Sequence, residues 1–166
     1  MRNCNLSYTF TTSSPSETKA LAKCLAKHVF AGSVIVLNGT IGAGKTNFTQ
    51  GFAAGLNINC DIKSPTFNIL FEYNTGTLPL YHFDLYRLEN EADLEDIGFY
   101  EAVEGGGVSV IEWGDKFPSA MPADWLEITF SGLPNEKREI TFSPHGKLSE
   151  ELLRTFLADE NVSNNN

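Results

Sequence analysis

Basic residues are scarce in this sequence: twelve Lys and Arg stand against twenty-one Asp and Glu, a net charge of −9. A field of that sign repels phosphate backbones and anionic lipid surfaces, so tight nucleic-acid binding by the chain alone is not expected. Cysteine is scarce as well. Cys4, Cys24 and Cys60 are odd in number and widely spaced, with no CxxC pair and no histidine at ligand spacing. That excludes a disulfide framework and a zinc site and leaves reduced thiols. No apolar run is long enough to span a membrane, and Glu17, Lys19, Lys23 and Lys27 interrupt any signal-peptide core near the start. A cytoplasmic location is therefore expected.

There is also no internal repeat and no linker. At 166 residues, 42% of them hydrophobic, the chain has enough apolar material for one domain. That domain is expected over residues 1–157, with a polar, frayed end over 158–166.

Along the chain, "LSYTFTT" alternates as a strand does. "SPSE" then sets up a helix, with Ser14 as N-cap, Pro15 at the first helical position and Glu17 completing a capping box. Leu21, Leu25 and Val29 give that helix one buried face, and Gly32 ends it. "VIVL" reads as a strand buried on both sides, which requires helices on both faces of the sheet. Lys45 to about Leu56 has helical spacing. "TFNILFEY" and "LPLYHFDLY" read as an antiparallel hairpin, turned at Asn74 to Gly76 through residues that tolerate positive φ. Asn90 is placed to cap a helix over "NEADLEDI", closed by Gly98, with a second short helix over "FYEAVE". "GVSVIEW" reads as another buried strand, "DWLEITF" and "KREITFS" as a terminal hairpin, and Ser149 to about Leu157 as a last amphipathic helix. The fold class expected is α/β: a single-domain, three-layer P-loop NTPase-like architecture whose sheet mixes parallel and antiparallel strands.

The chemistry concentrates in "NGTIGAGKTN". Gly39, Gly44, Lys45 and Thr46 match G-x-x-x-x-G-K-[ST], and the loop runs from a buried strand into a helix, as the motif demands. Glycines let the backbone curl so that several N–H groups point at one phosphate cluster, and the helix N-terminus adds its positive end. Lys45 supplies a charge for β and γ phosphates, and the Thr46 hydroxyl suits Mg²⁺. The expected ATP contacts are Thr40, Ile41, Gly42, Ala43, Gly44, Lys45, Thr46 and Asn47.

A nucleoside triphosphatase also needs a carboxylate at the tip of a neighbouring strand. Asp84, after "LPLYHF", and Glu112, after "VSVI", both emerge where a phosphate loop would sit; as a simpler alternative, each is a turn or cap residue. His82 shares a face with Asp84 and either orients it or is an ordinary core histidine. Trp113 lies against a nucleotide or partner, or else in the core.

In order and at close to their spacing, "GTIGAGKT", "SPTF", "HFDLYR" and "IEW" resemble the bacterial TsaE (YjeE) family, the small ATPases of the tRNA N6-threonylcarbamoyladenosine machinery. The resemblance covers residues 8 to 130. It implies a compact P-loop fold that hydrolyses ATP with Mg²⁺ as partner to a heterodimer, the threonylcarbamoyl-transferase subunit and its paralogous scaffold (TsaD and TsaB type). It implies Lys45, Asp84 and Glu112 as catalytic residues and Thr46, Asp84 and Glu112 on the metal side. Thr66, in the "SPT" segment, would sense the γ phosphate, and Trp113 would lie at the nucleotide. The loop departs from the family's usual G-D-L-G-A-G-K-T-T at Thr40, Ile41 and Asn47. Two other readings share the loop: a small-molecule kinase, for which no arginine-rich lid is visible, and a non-catalytic nucleotide-sensing scaffold.

Overall fold

The structure is a computed structural model that describes residues 6–40, 42–65 and 67–159. Among these the chain forms β1 (Tyr8–Thr12), α1 (Pro15–Ala26), β2 (Val34–Asn38), α2 (Lys45–Gly55), β3 (Leu70–Tyr73), β4 (Leu80–Asp84), α3 (Asp93–Asp96) and α4 (Phe99–Glu104). There follow β5 (Val108–Glu112), β6 (Trp125–Gly132), β7 (Arg138–His145) and α5 (Lys147–Leu157).

The seven strands form one sheet in the order β1-β7-β6-β2-β5-β4-β3. β6, β2, β5 and β4 run parallel, while β1, β7 and β3 attach antiparallel at the flanks. The mixed sheet flanked by helices is the architecture expected from the sequence.

The aliphatic run of β2 shows why the layers form. Ile35 and Leu37 enter the core with Phe48 and Phe52 of α2 and with residues of α1 and α5. Val34 and Val36 enter a second core with Leu94 of α3 and Phe99 of α4. A strand buried on both faces is thereby satisfied on both.

α1 and α2 pack so closely that two glycines are required. A Cβ on Gly51 would stand 2.2 Å from the Lys19 carbonyl oxygen, and one on Gly55 would stand 2.6 Å from Ala26 Cβ. Gly51→Ala is expected to force the helices apart and destabilise the fold by about 2 kcal/mol. Urea denaturation should read this as a fall in midpoint of roughly 1 M.

Several local expectations are corrected. α1 ends at Ala26, before Val29 and Gly32, because Lys27 N–H and His28 N–H donate back three residues and tighten the last turn. Ser14 caps α1, accepting from Glu17 N–H at 3.1 Å, but the Glu17 carboxylate takes the N–H of Ser13. The hairpin strand starts at Leu70, since Ile69 has φ 68° and breaks the extended run. Its turn has no positive φ at Asn74, Thr75 or Gly76. Gly76 is instead needed for close approach, because a Cβ there would lie 2.3 Å from the Leu56 carbonyl oxygen.

Asn90 does not cap α3. The Asp93 carboxylate accepts from Asn90 N–H at 3.3 Å, and the helix is a single turn. α5 starts at Lys147, its first N–H groups capped by Asp124 from before β6 at 2.7 and 2.8 Å. Beyond α5, Ala158 N–H bonds to Arg154, and the Asp159 carboxylate meets His28 Nε2 at 2.7 Å. Residues 160–166 of the expected frayed end lie outside the described residues. Among the described residues no helix is long and apolar enough to cross a membrane.

Candidate functional site

The loop between β2 and α2 curls through Gly42 (φ 82°) and Gly44 (φ 103°), conformations that a Cβ would strain. Gly44 is the N-cap of α2 and brings no side chain to it. The helix therefore keeps its N-terminal amides and positive dipole end for an external anion.

Lys45 is 6% exposed. Its Nζ donates to the Gly39 carbonyl oxygen at 2.8 Å and lies 4.6 Å from the centre of the Trp113 ring. Both contacts use weak acceptors for a nearly buried cation.

Opposite the loop, the parallel pairing of β4 with β5 sets Asp84 directly beside Glu112. Each is only 4% exposed. Asp84 Oδ1 accepts from Tyr86 N–H at 3.0 Å, so the turn role considered for it is real as well. Glu112 Oε2 meets His82 Nε2 at 2.8 Å. His82 thus contacts Glu112, not its same-strand neighbour Asp84. The two acidic strand ends are further tied together by Lys116, whose Nζ donates to the Tyr86 and Leu88 carbonyls at 2.6 Å each.

Two carboxylates side by side in neighbouring strands repel each other unless a cation sits between or beyond them. With the Thr46 hydroxyl they make an all-oxygen donor set, which suits a hard cation such as Mg²⁺. Among the described residues no group of three or more His, Cys, Asp or Glu could hold a metal ion unaided. Mg²⁺ keeps several waters and phosphate oxygens, so two carboxylates and a hydroxyl fit it.

Gly42, Gly44, Lys45, Thr46, Asn47, Asp84, Glu112 and Trp113 all line one cleft of about 700 Å³. That volume is in the range of small-molecule sites.

A family model described as threonylcarbamoyl adenosine biosynthesis protein TsaE matches residues 12–140. The chain belongs to the TsaE family. It is 44% identical over 153 residues to the tRNA threonylcarbamoyladenosine biosynthesis protein TsaE of Bacillus subtilis, covering 92% of this chain and 96% of that one. The protein of the same name from Treponema pallidum is 49% identical over 110 residues, 66% of this chain and 81% of its own. The crystal structure of Bacillus subtilis YdiB superposes with a TM-score of 0.83 at 37% identity, over 93% of this chain and 97% of that one.

Other residues expected at the TsaE-family site are placed differently. Thr40 is exposed and opens with Lys45 and Trp113 onto an adjoining hollow of about 270 Å³. Ala43 is buried and lines neither space. Ile41 and Thr66 lie outside the described residues, while Ser64 of the "SPT" segment does line the cleft. Trp113 adopts φ 61°, uncommon for a bulky residue, and its ring also meets Tyr86 at 5.0 Å.

The sequence reading missed Ser13, Ser14, Glu136 and Arg138, which also line the cleft, Arg138 reaching the Gly42 carbonyl oxygen of the loop at 3.5 Å. Two distant turns supply them, and the β1–β7 pairing of Thr12 with Arg138 joins those turns. The sequence gives no local signal for that. Arg87 sits over the exposed Phe67 ring at 5.2 Å.

Proposed function

We propose that this chain is an ATPase subunit of the tRNA N6-threonylcarbamoyladenosine machinery, hydrolysing ATP to ADP and phosphate in complex with the threonylcarbamoyl-transferase subunit and its scaffold partner. One observation carries the reading: the phosphate loop, Lys45 and Thr46 share a cleft with two buried carboxylates at the ends of adjacent parallel strands. The biosynthetic role comes from the names of its relatives.

In this reading the curled loop and the first amides of α2 hold the β and γ phosphates, and Lys45 leaves the Gly39 carbonyl and the Trp113 ring to pair with them. Thr46 and Asp84 would hold Mg²⁺, which when bound would neutralise charge on the β and γ phosphates. Glu112, held by His82, orients the attacking water and accepts its proton. The loop lysine moves from weak acceptors to strong ones, so loading the cleft relieves an under-satisfied buried cation.

The purified chain, mixed with the two partner proteins and MgATP, is expected to release phosphate well above the no-enzyme rate. If the chain binds ATP by calorimetry but phosphate release with both partners equals the blank, it acts as a nucleotide-sensing scaffold and not as an enzyme.

A further inference from the structure

His82 is wholly buried at the middle of β4, one pleat before Asp84 and on the same face. In register it faces Val110 of β5, and Asp84 faces Glu112. Glu112 is therefore the diagonal cross-strand neighbour of His82, within reach of its ring. The 2.8 Å contact between His82 Nε2 and Glu112 Oε2 is the result. His82 Nδ1 is just as buried and has no hydrogen-bond partner among the described residues.

These two facts bear on which ring nitrogen faces the carboxylate as donor. An ionised carboxylate only accepts, so Nε2 carries the hydrogen and donates it. A second hydrogen on Nδ1 would be a buried donor with no acceptor, which costs more than a bare ring nitrogen. The geometry thus places the donating hydrogen on Nε2, toward Glu112, and leaves Nδ1 without a partner among the described residues.

We propose that His82 is a positioning residue for the cleft: its Nε2–H pins one oxygen of Glu112 and so sets the orientation in which that carboxylate is presented to the reacting water. The inference rests on the ATPase reading of the cleft. It gives a reason for placing an imidazole, with one nitrogen unused, in the middle of a buried strand where an aliphatic side chain would otherwise pack. A free glutamate at a strand end samples several rotamers, and a misplacement of about 1 Å in a catalytic group costs on the order of a hundredfold in rate.

The test uses the full chain with its two partner proteins and compares wild type with His82→Leu and His82→Gln. The Gln side-chain amide reaches the Nε2 position and can donate as the ring does. His82→Leu is expected to lower kcat for phosphate release by roughly ten- to a hundredfold, as loss of an orienting partner does at other sites. KM for ATP and calorimetric ATP affinity should stay within about threefold, since His82 is not among the residues lining the cleft. His82→Gln is expected to recover most of the lost kcat.

A kcat for His82→Leu equal to wild type per folded molecule, or a Gln variant no better than Leu, overturns the proposal. Should His82→Leu fail to fold, the Gln variant is compared with wild type, and the tautomer is read on the unaltered protein by long-range ¹H–¹⁵N correlation of labelled histidine. A proton on Nδ1 with Nε2 bare overturns the proposal without any variant. Failure of the wild-type chain to bind ATP at all is a different result, seen before any variant is made, and rejects the ATPase reading itself.

Discussion

Lys45→Ala is expected to weaken MgATP binding by about a hundredfold, on the order of 3 kcal/mol, while leaving the fold intact. The ammonium is the one side-chain charge that the phosphate loop brings into the cleft, and charge-assisted bonds to phosphate oxygens are the strong kind. What the folded chain loses is small by comparison: one bond to the Gly39 carbonyl and one contact over the Trp113 ring. Gross values of about 2 kcal/mol each are offset by the cost of burying the ammonium, which the alanine removes. Calorimetric titration with MgATP, paired with urea denaturation of the free protein, separates the two effects. Unchanged affinity in a folded variant would reject Lys45 as a phosphate ligand.

The other large effect is expected at Glu112. Glu112→Gln keeps the volume and an oxygen that can accept from His82, but removes the charge that orients water and takes its proton. General-base contributions of about 10²–10⁴ in rate set the scale of the loss in kcat, with ATP affinity nearly unchanged. Stability should move the other way or not at all. Asp84 and Glu112 are directly paired in adjacent strands, and neutralising one of two neighbouring buried carboxylates removes their repulsion. A variant that is stable, binds ATP and has lost turnover is the expected combination. Retained turnover would take Glu112 out of the mechanism.

Much of the site was legible in the sequence because its parts are local. The phosphate loop is eight consecutive residues, and Asp84 and Glu112 each follow an apolar strand run. What could not be read was how the strands are ordered. In the sheet β5 lies between β2 and β4, so Glu112 ends up beside Asp84, and nothing along the chain specifies that neighbour.

The same ignorance explains the partner of His82. The separations are similar, about 6.6 Å along the strand and about 7–8 Å on the diagonal, so side-chain length decides: the longer Glu112 reaches the ring, while the shorter Asp84 turns to the Tyr86 N–H. The group of Ser13, Ser14, Glu136 and Arg138 was invisible for a related reason, as it exists only once β1 pairs with β7. Among the helices, α2 was read almost to the residue from its apolar spacing. Asn90 misled because Asp93, one turn later, offers a competing carboxylate that takes the bond in reverse.

The interlock of α1 and α2 at Gly51 and Gly55 has a mechanical consequence. α1 begins at the Ser13–Ser14 turn and α2 begins at the phosphate loop, so two sides of the cleft ride on a single rigid block. Widening that admits or releases a ligand is then expected in lining residues outside that block, Ser64 and Tyr86 among them. Amide protons of the two helices should exchange with solvent together and slowly, and those of Ser64 and Tyr86 sooner.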